Sequence, residues 1–430
     1  MSSQSDRDVI IIGAGVIGSA IALGLSRQGL KTLNLDALPA AGYGSTSHSS
    51  AVVRPFYSHI TAAAIAHEAR HRWLHWAEYL QHEDPAGLAG YTESGGLVVM
   101  REGEEESYAG NLAVLDEIGV DYQLLDARAL ADLYPGISLE AFGPPKRADH
   151  PEFGIPMPGR ISGAIHIPAA GYVSDPQLAA HNLMAAASTI GAEFRFNTEV
   201  MAIEKATNRI EAVVLADGER LNAPLLVNAA GPHSAQINAL AGIADTLPIQ
   251  TRAERHEVAY LSAPEGYVEG GNGFLVDLDT GIYLRPDGQD VLIGTADPEC
   301  DTPDVVSPDD YNGSFTEQWT TQVYRAAQRF PALAIENTGR GTVGLYDVSN
   351  DWIPIYDRTE IEGYYLAIGT SGNQFKNAPV VGDLMASVIL RGADHDREPA
   401  ELDLPALGRR VNLSFYSRNR EVQQTRSVLA

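Results

Sequence analysis

An α/β chain of two interwoven domains is predicted, the first on a parallel sheet and the second, of α+β character, on a mixed or antiparallel sheet. Three observations predict it. The 430 residues exceed what one ordinary core accommodates. Residues 8–36 read as strand, glycine-rich turn, helix and strand, the pattern of a parallel βαβ unit. From about residue 234 to 340 the texture changes to short alternating strands, and a buried apolar strand returns only at Tyr364–Ile368.

The elements follow in order. Val9-Ile10-Ile11-Ile12 is a continuous apolar run, as a parallel strand buried on both faces requires. A helix follows to about Gln28, and Leu30 to Leu35 is a second strand. Residues 62–82 carry Ile65, Ala69, Trp73, Trp76 and Leu80 near one helical face. The Pro-, Gly- and charge-rich stretch 141–160 reads as loop. Asp175-Pro176 opens a helix to Ile190, with proline at an early position where its missing N–H costs nothing. Strands are expected at Glu193–Phe196, Ile210–Leu215 and Leu225–Asn228, then at His256–Leu261, Gly281–Leu284 and Val291–Gly294. Helices are expected over 314–330 and from Pro379 to Leu390. The tail 409–430 sets Arg409, Arg410, Arg418, Arg420 and Arg426 against Glu421; in an acidic chain it docks on its own surface or a neighbour's, making an oligomer one reading, or forms a disordered arm.

Composition narrows the function classes. The formal net charge of −26 disfavours nucleic acid or an anionic membrane as partner. The single cysteine, Cys300, rules out an intramolecular disulfide and a cysteine-built metal cage. No apolar run is long enough to span a bilayer, and the polar N-terminus carries no secretory apolar region, so a cytoplasmic location is expected. Only four lysines are present: Lys31, Lys146, Lys205 and Lys376.

Gly13-Ala14-Gly15-Val16-Ile17-Gly18 is a G-x-G-x-x-G between strand and helix. Gly13 permits the tight turn, Gly15 lets the backbone approach a pyrophosphate, and Gly18 allows close helix–strand packing. The helix N-terminus offers unpaired N–H groups to phosphates. Asp36, followed by Ala37, ends the second strand where a carboxylate accepts hydrogen bonds from a ribose. A Rossmann-like dinucleotide site is therefore expected. FAD and NAD share this fingerprint, and the residues after the second strand distinguish them. An NAD unit proceeds to another helix; here comes Gly44-Ser45-Thr46-Ser47-His48-Ser49-Ser50-Ala51-Val52-Val53-Arg54, small hydroxyl residues able to approach a cofactor closely.

Four separated segments together resemble the D-amino-acid oxidase superfamily of FAD enzymes, in its sarcosine oxidase, dimethylglycine dehydrogenase and glycine oxidase branch. They are the glycine fingerprint, Gly44–Arg54, Val227-Asn228-Ala229-Ala230-Gly231-Pro232, and Gly369-Thr370-Ser371-Gly372-Asn373-Gln374-Phe375-Lys376. The resemblance implies an FAD domain at 1–91, 158–233 and 341–407, a substrate domain at 92–157 and 234–340, and a basic tail at 408–430. It places Val200 beside the adenine, Ala230 and Gly231 beneath the dinucleotide, and the last segment around the flavin ring. Asn373-Gln374 stands where relatives commonly have His-Gly. It also implies that Arg54 and Lys376 clamp a substrate carboxylate, a task suited to a bidentate guanidinium and a point-charge ammonium. His48 matches the residue that some relatives join covalently to flavin; a noncovalent FAD is favoured here.

Two departures bear on the chemistry. Gly344 occupies the place of a flavin-linking cysteine, and Leu292 that of an oxygen-activating lysine, so the electron acceptor stays open between dioxygen and another carrier. Tyr260, Tyr283 and Arg285 are expected to complete the pocket, with His256, Tyr346 and Asp347 nearby. The activity implied is oxidation of a small amino acid or N-alkyl amino acid by hydride transfer to flavin. The alternatives are a flavin-dependent 2-hydroxy acid or glycerol phosphate dehydrogenase, and a flavin-binding subunit of a larger complex. His67-Glu68-Ala69-Arg70-His71 matches H-E-x-x-H, with His75 one turn on; packing beside the flavin domain explains the helix, and no metal is expected.

Overall fold

The computed structural model describes residues 7–264, 267 and 273–423. Arg426 of the tail lies outside the described residues.

The continuous apolar run Val9–Ile12 forms the centre of a six-stranded sheet. Its order is Glu193–Arg195, Thr32–Leu35, Val9–Ile12, Leu225–Asn228, Tyr364–Ile368 and Ile355–Arg358. Every pairing is parallel except the last. Alternation assigns the two faces. Val9, Ile11, Val227 and Ala367 pack under the helices Val16–Arg27, Pro176–Thr189 and Ala378–Arg391. Ile10, Ile12, Leu226 and Leu366 pack the opposite way, against a small sheet of Val200–Ala206, Arg209–Leu215 and Arg220–Asn222. The Asp175 carboxylate accepts from Leu178 N at 2.9 Å, so the cap read in the sequence is the one formed. The helix expected over 62–82 divides into Ile60–Leu74 and Trp76–Leu80, because His75 leaves helical geometry.

The second sheet has nine strands and is mixed. It runs Gly341–Ser349, Thr251–Ser262, Asp290–Thr295, Ile282–Asp287, Phe274–Asp277, Gly96–Arg101, Met157–Ile167 and Gln123–Asp126, with Glu140–Ala141 beside Met157–Ile167. Only Phe274–Asp277 with Gly96–Arg101 is parallel. Gly341–Ser349 and Met157–Ile167, grouped by sequence with the first domain, hydrogen-bond into this second sheet. The loop expected at 141–160 is thus bounded by strands at both ends. The sheet's outer face packs Leu97, Leu275, Leu284 and Ile293 under the helix Glu317–Arg329. Arg329 of that helix is fully buried, with Nε 2.7 Å from Asp277 and Nη2 2.9 Å from Asp279. A buried cation is tolerated because both carboxylates and the carbonyls of Ser138 and Glu140 surround it. The inner face turns toward the first domain.

The tail folds back on the chain. Arg409–Asn412 pairs with Glu401–Leu404, the Arg418 N–H donates to Asp357 at 2.8 Å, and Arg420 Nη2 meets Asp351 at 2.8 Å. Through residue 423 the disordered-arm reading is replaced by ordered docking. No helix among the described residues is long and apolar enough to cross a membrane.

The first and last long helices cross where neither has a side chain. A Cβ on Gly24 would lie 2.3 Å from the Gly382 carbonyl oxygen, and one on Gly382 2.3 Å from that of Ala20. Alanine normally favours a helix over glycine by about 1 kcal/mol. Gly24→Ala is expected to reverse that sign and destabilise by about 1–3 kcal/mol through overpacking. Gly110→Ala, in the helix Ala109–Ile118 with nothing within 4 Å of the added atom, is expected to raise stability. Thermal midpoints of the two variants check this, and a Gly24→Ala midpoint at or above that of the parent refutes the crossing as a constraint.

Candidate active site

A cavity of about 990 Å³ runs between the two domains. It begins at Asp36, Ala37, Thr198, Val200 and Met201, passes the glycine turn and Ser45–Ser50, and ends at Arg54, Tyr283, Tyr346 and the segment Gly372–Lys376.

The glycine turn is shaped by backbone approach. Gly13 has φ +112°, and a Cβ there would lie 2.2 Å from the Ala229 carbonyl oxygen; one on Gly18 would lie 2.2 Å from that of Gly13. Asn34 Nδ2 fixes the turn by donating to the carbonyls of Gly13 at 2.9 Å and Gly18 at 3.1 Å. The helix Val16–Arg27 has no side-chain cap from its own N-cap residue, Gly15. Thr46 Oγ1 instead accepts from Val16 N at 3.1 Å, bringing the hydroxyl-rich segment to the helix N-terminus. Asp36 accepts from Ala14 N at 2.7 Å and Leu38 N at 2.8 Å, and burial raises its carboxyl above the usual range.

These residues fit FAD. A dinucleotide needs a long cleft, a helix N-terminus for its phosphates and an acidic strand end for its ribose, and all three lie along one cavity. Of the cofactor-binding residues read from the sequence, Gly13, Gly15, Val16, Ile17, Asp36, Ala37, Ser45, Thr46, His48, Ser49, Ser50, Val200, Ala230, Gly231, Gly372, Asn373, Gln374, Phe375 and Lys376 line the cavity. Ala14, Gly18, Ser47 and Gly344 stand just behind it. Ser47 Oγ donates to the Gly44 carbonyl at 2.9 Å, and Gly344 leaves room for His48, whose Cβ would be 2.8 Å from an added Cβ.

The far end holds two cations. Arg54 and Lys376 are 5 % and 3 % exposed, both line the cavity, and Tyr57 lies between them. The Arg54 guanidinium sits 4.6 Å from the Tyr57 ring centre, and Lys376 Nζ donates to the Tyr57 hydroxyl at 2.7 Å. Burial, reinforced by Arg54, pushes the Lys376 ammonium well below its ordinary pKa. Burial also lowers the Arg54 value, and Tyr57 opposes that. Trp73 locks the loop from outside, with Nε1 donating to the Lys376 carbonyl at 2.7 Å and its ring stacked on Phe375. Gln374 Oε1 accepts from Tyr356 at 3.2 Å and Asn377 at 2.8 Å, orienting that side chain.

Aromatic rings laid on glycines make the wall. The rings of Phe274, Tyr283 and Tyr346 lie where a Cβ on Gly96, Gly294 or Gly372 would come within 2.3, 2.4 and 2.2 Å respectively. The Tyr283 hydroxyl is 2.8 Å from Ser50 Oγ. Behind the wall, Asp347 accepts from Gly369 N at 2.6 Å and Ser234 Oγ at 2.8 Å, tying the Gly369–Lys376 segment to the Ala230–Ser234 turn. Burial pushes its carboxyl up to about 7.

Two expected pocket residues stand elsewhere. Tyr260 and Arg285 do not line the cavity. Both face Leu292 across the sheet, and Arg285 sits 4.5 Å over the Tyr172 ring with Nη2 3.1 Å from Asp287. Tyr57, Phe274, Val276 and Ala296 were not singled out by sequence, although Tyr57 follows Arg54 by three positions. On the helix Ile60–Leu74, Glu68 accepts from Ala406 N at 3.0 Å and pairs with Arg72, so the H-E-x-x-H glutamate serves packing. Burial, with His71 and Arg70, depresses His67 to about 4.

Comparison with known proteins agrees with this geometry. Monomeric sarcosine oxidase of Arthrobacter sp. (strain TE1826) is 25 % identical over 419 residues, covering 95 % of this chain and 98 % of that one. Sarcosine oxidase subunit beta of Rhodobacter capsulatus is 25 % identical over 392 residues, covering 90 % of this chain and 85 % of that one. The solved glycine oxidase from Geobacillus kaustophilus superimposes with a TM-score of 0.74 at 22 % identity, over 98 % of this chain and all of that one. The family model described as FAD dependent oxidoreductase matches residues 8–388, and with the cavity, the glycine turn and the hydroxyl segment in place, the chain belongs to that family.

Proposed function

We propose that this protein oxidises a small amino acid or N-alkyl amino acid whose carboxylate is held by Arg54 and Lys376. The observation that supports the reading most is this pair of buried cations at the cavity end, joined through Tyr57. Cations in such a place favour an anionic ligand, and charge-assisted contacts fix its orientation. The relatives named for sarcosine and glycine are in keeping with a small carboxylate-bearing amine.

Bound FAD would supply the hydride acceptor, with dioxygen or another carrier taking the electrons onward. The chain's own residues bind and orient. Arg54 and Lys376 anchor the carboxylate, and Phe274, Val276, Tyr283, Ala296 and Tyr346 offer an apolar and aromatic wall to the N-alkyl group or side chain. Holding the alpha carbon at a fixed point over the ring is the main contribution required, because an amine arriving neutral needs no general base. His48 has Nδ1 3.2 Å from the Gly44 carbonyl and rests against Gly344, which suits a packed imidazole beside noncovalent FAD.

Three outcomes are expected. Lys376→Met raises KM for the best amine substrate about 10- to 100-fold, the loss of one charge-assisted contact, while flavin content is unchanged; equal kinetics would remove the carboxylate reading. Because the Lys376 pKa is depressed, its charge is present at low pH and lost as pH rises, so KM climbs on the alkaline side and Lys376→Met flattens that limb. Acid precipitation of the yellow protein leaves flavin in the supernatant, in His48→Ala as in the parent; a yellow pellet would show a covalent link.

A further inference from the structure

The strand Thr251–Ser262 carries an unusual polar run, Glu254-Arg255-His256-Glu257, split between two faces by alternation. Arg255 and Glu257 pair on the outer face, Nη1 to Oε1 at 2.7 Å. Glu254 and His256 face inward. His256 Nε2 lies 3.7 Å from Glu254 Oε2 and Nδ1 3.7 Å from Asp297 Oδ1, so the imidazole sits between two carboxylates from different elements at ion-pair distance, with Nε2 making no hydrogen bond. Its ring stacks on Tyr346 with centres 4.0 Å apart and planes 21° apart. Tyr346 in turn lies against Gly372, where any side chain would collide with its ring. His256 does not itself line the cavity.

Asp297 adds an independent observation. It adopts φ +52°, a left-handed conformation that aspartate tolerates better than most residues, with its N–H donating to Thr295 Oγ1 at 3.0 Å. Its Oδ2 is buried without a hydrogen-bond partner.

We propose that His256 is a positioning residue: clamped between Glu254 and Asp297, it holds the Tyr346 ring against the Gly372 turn and so sets the wall of the substrate cavity. This rests on the reading that the substrate is bound beside Tyr346.

The clamp titrates. Burial alone would depress the imidazole, but Asp297, Glu254 and Asp304 outweigh it and raise His256 above its ordinary value. Burial pushes Asp297 up to about 6, against the pull of His256. Arg252, paired with Glu254, and His48, across a small void, also stand near this imidazole, and Asp301, Arg325, Tyr283 and Tyr346 act on Asp297. The cation is present below the raised imidazole pKa and the Asp297 carboxylate above about 6, so the clamp is complete between those limits and loosens as pH falls through about 6.

The test uses the FAD-loaded full-length protein and two readouts. The first is the visible flavin band without ligand, between about pH 5 and pH 8. A step near pH 6 that disappears in Asp297→Asn is expected; no step, or one that persists in the variant, overturns the proposal. The second is the Kd of acetate, a carboxylate probe, from its perturbation of that band. His256→Gln is expected to raise it about fivefold in the parent and by less than about twofold when Tyr346→Leu has removed the ring. Equal effects in both backgrounds overturn the proposal, since a merely structural histidine would act independently of Tyr346. If His256→Gln does not fold, the Asp297→Asn step decides. Acetate binding equally well to Lys376→Met would sink the carboxylate reading instead, while the ligand-free pH step still decides the role of His256.

Discussion

Backbone meeting backbone at Gly13 is the contact on which the rest of the structure depends. The turn after the first strand presses on the Ala229 carbonyl with no room for a methyl group, and Gly18 presses on the turn in the same way. Those contacts bring the central strands and the first helix close enough for the helix N-terminus to open into the cavity. A side chain at Gly13 would meet both forbidden φ and a carbonyl at 2.2 Å, so nothing short of moving a strand would relieve it. The same economy of atoms recurs in the wall. Each flat ring rests on a glycine of the neighbouring segment, so the aromatic surface is smooth and rigid and the space in front of it is preserved.

Charge is distributed to match. The chain carries a large negative excess, yet the deep end of its cavity holds one of only four lysines and a buried arginine. Buried cations cost desolvation, and the depressed Lys376 pKa expresses that cost. On the proposed reading, an arriving carboxylate would offset it, so affinity would be built from the cost of burying those charges. The aromatic bracket of Tyr57 keeps the two positive groups in place until then.

Much of the first domain was legible because its information is local. A strand, three glycines, a helix and an acidic strand end occupy 28 consecutive positions from Val9 to Asp36, and each residue type has one physical reason to be there. The position of Gly372–Lys376 on the cavity was legible for the same reason. The second domain was harder. Alternation correctly puts Tyr283 and Arg285 on one face, but it gives no depth along the strand, and two residues further on Arg285 is beneath Tyr172 instead of at the cavity. Tyr346 becomes a wall residue only because Gly341–Ser349 pairs with Thr251–Ser262, a partnership between strands about 90 residues apart that no local pattern announces.

The order of strands in the first sheet carries a consequence for how the protein is made. Val9–Ile12 is flanked by Leu225–Asn228, which in turn pairs with Tyr364–Ile368. A nascent chain emerging from the ribosome therefore pairs its most apolar strand with Thr32–Leu35 early, but leaves its other edge open until Leu225–Asn228 has been synthesised. Such non-local pairing folds slowly and leaves an open edge while it waits. The docking of Arg418 and Arg420 onto Asp357 and Asp351 comes later still, which makes that segment a closing buckle on the nucleotide fold. The first sheet is therefore completed only by residues made late in the chain, Ile355–Arg358 and Tyr364–Ile368.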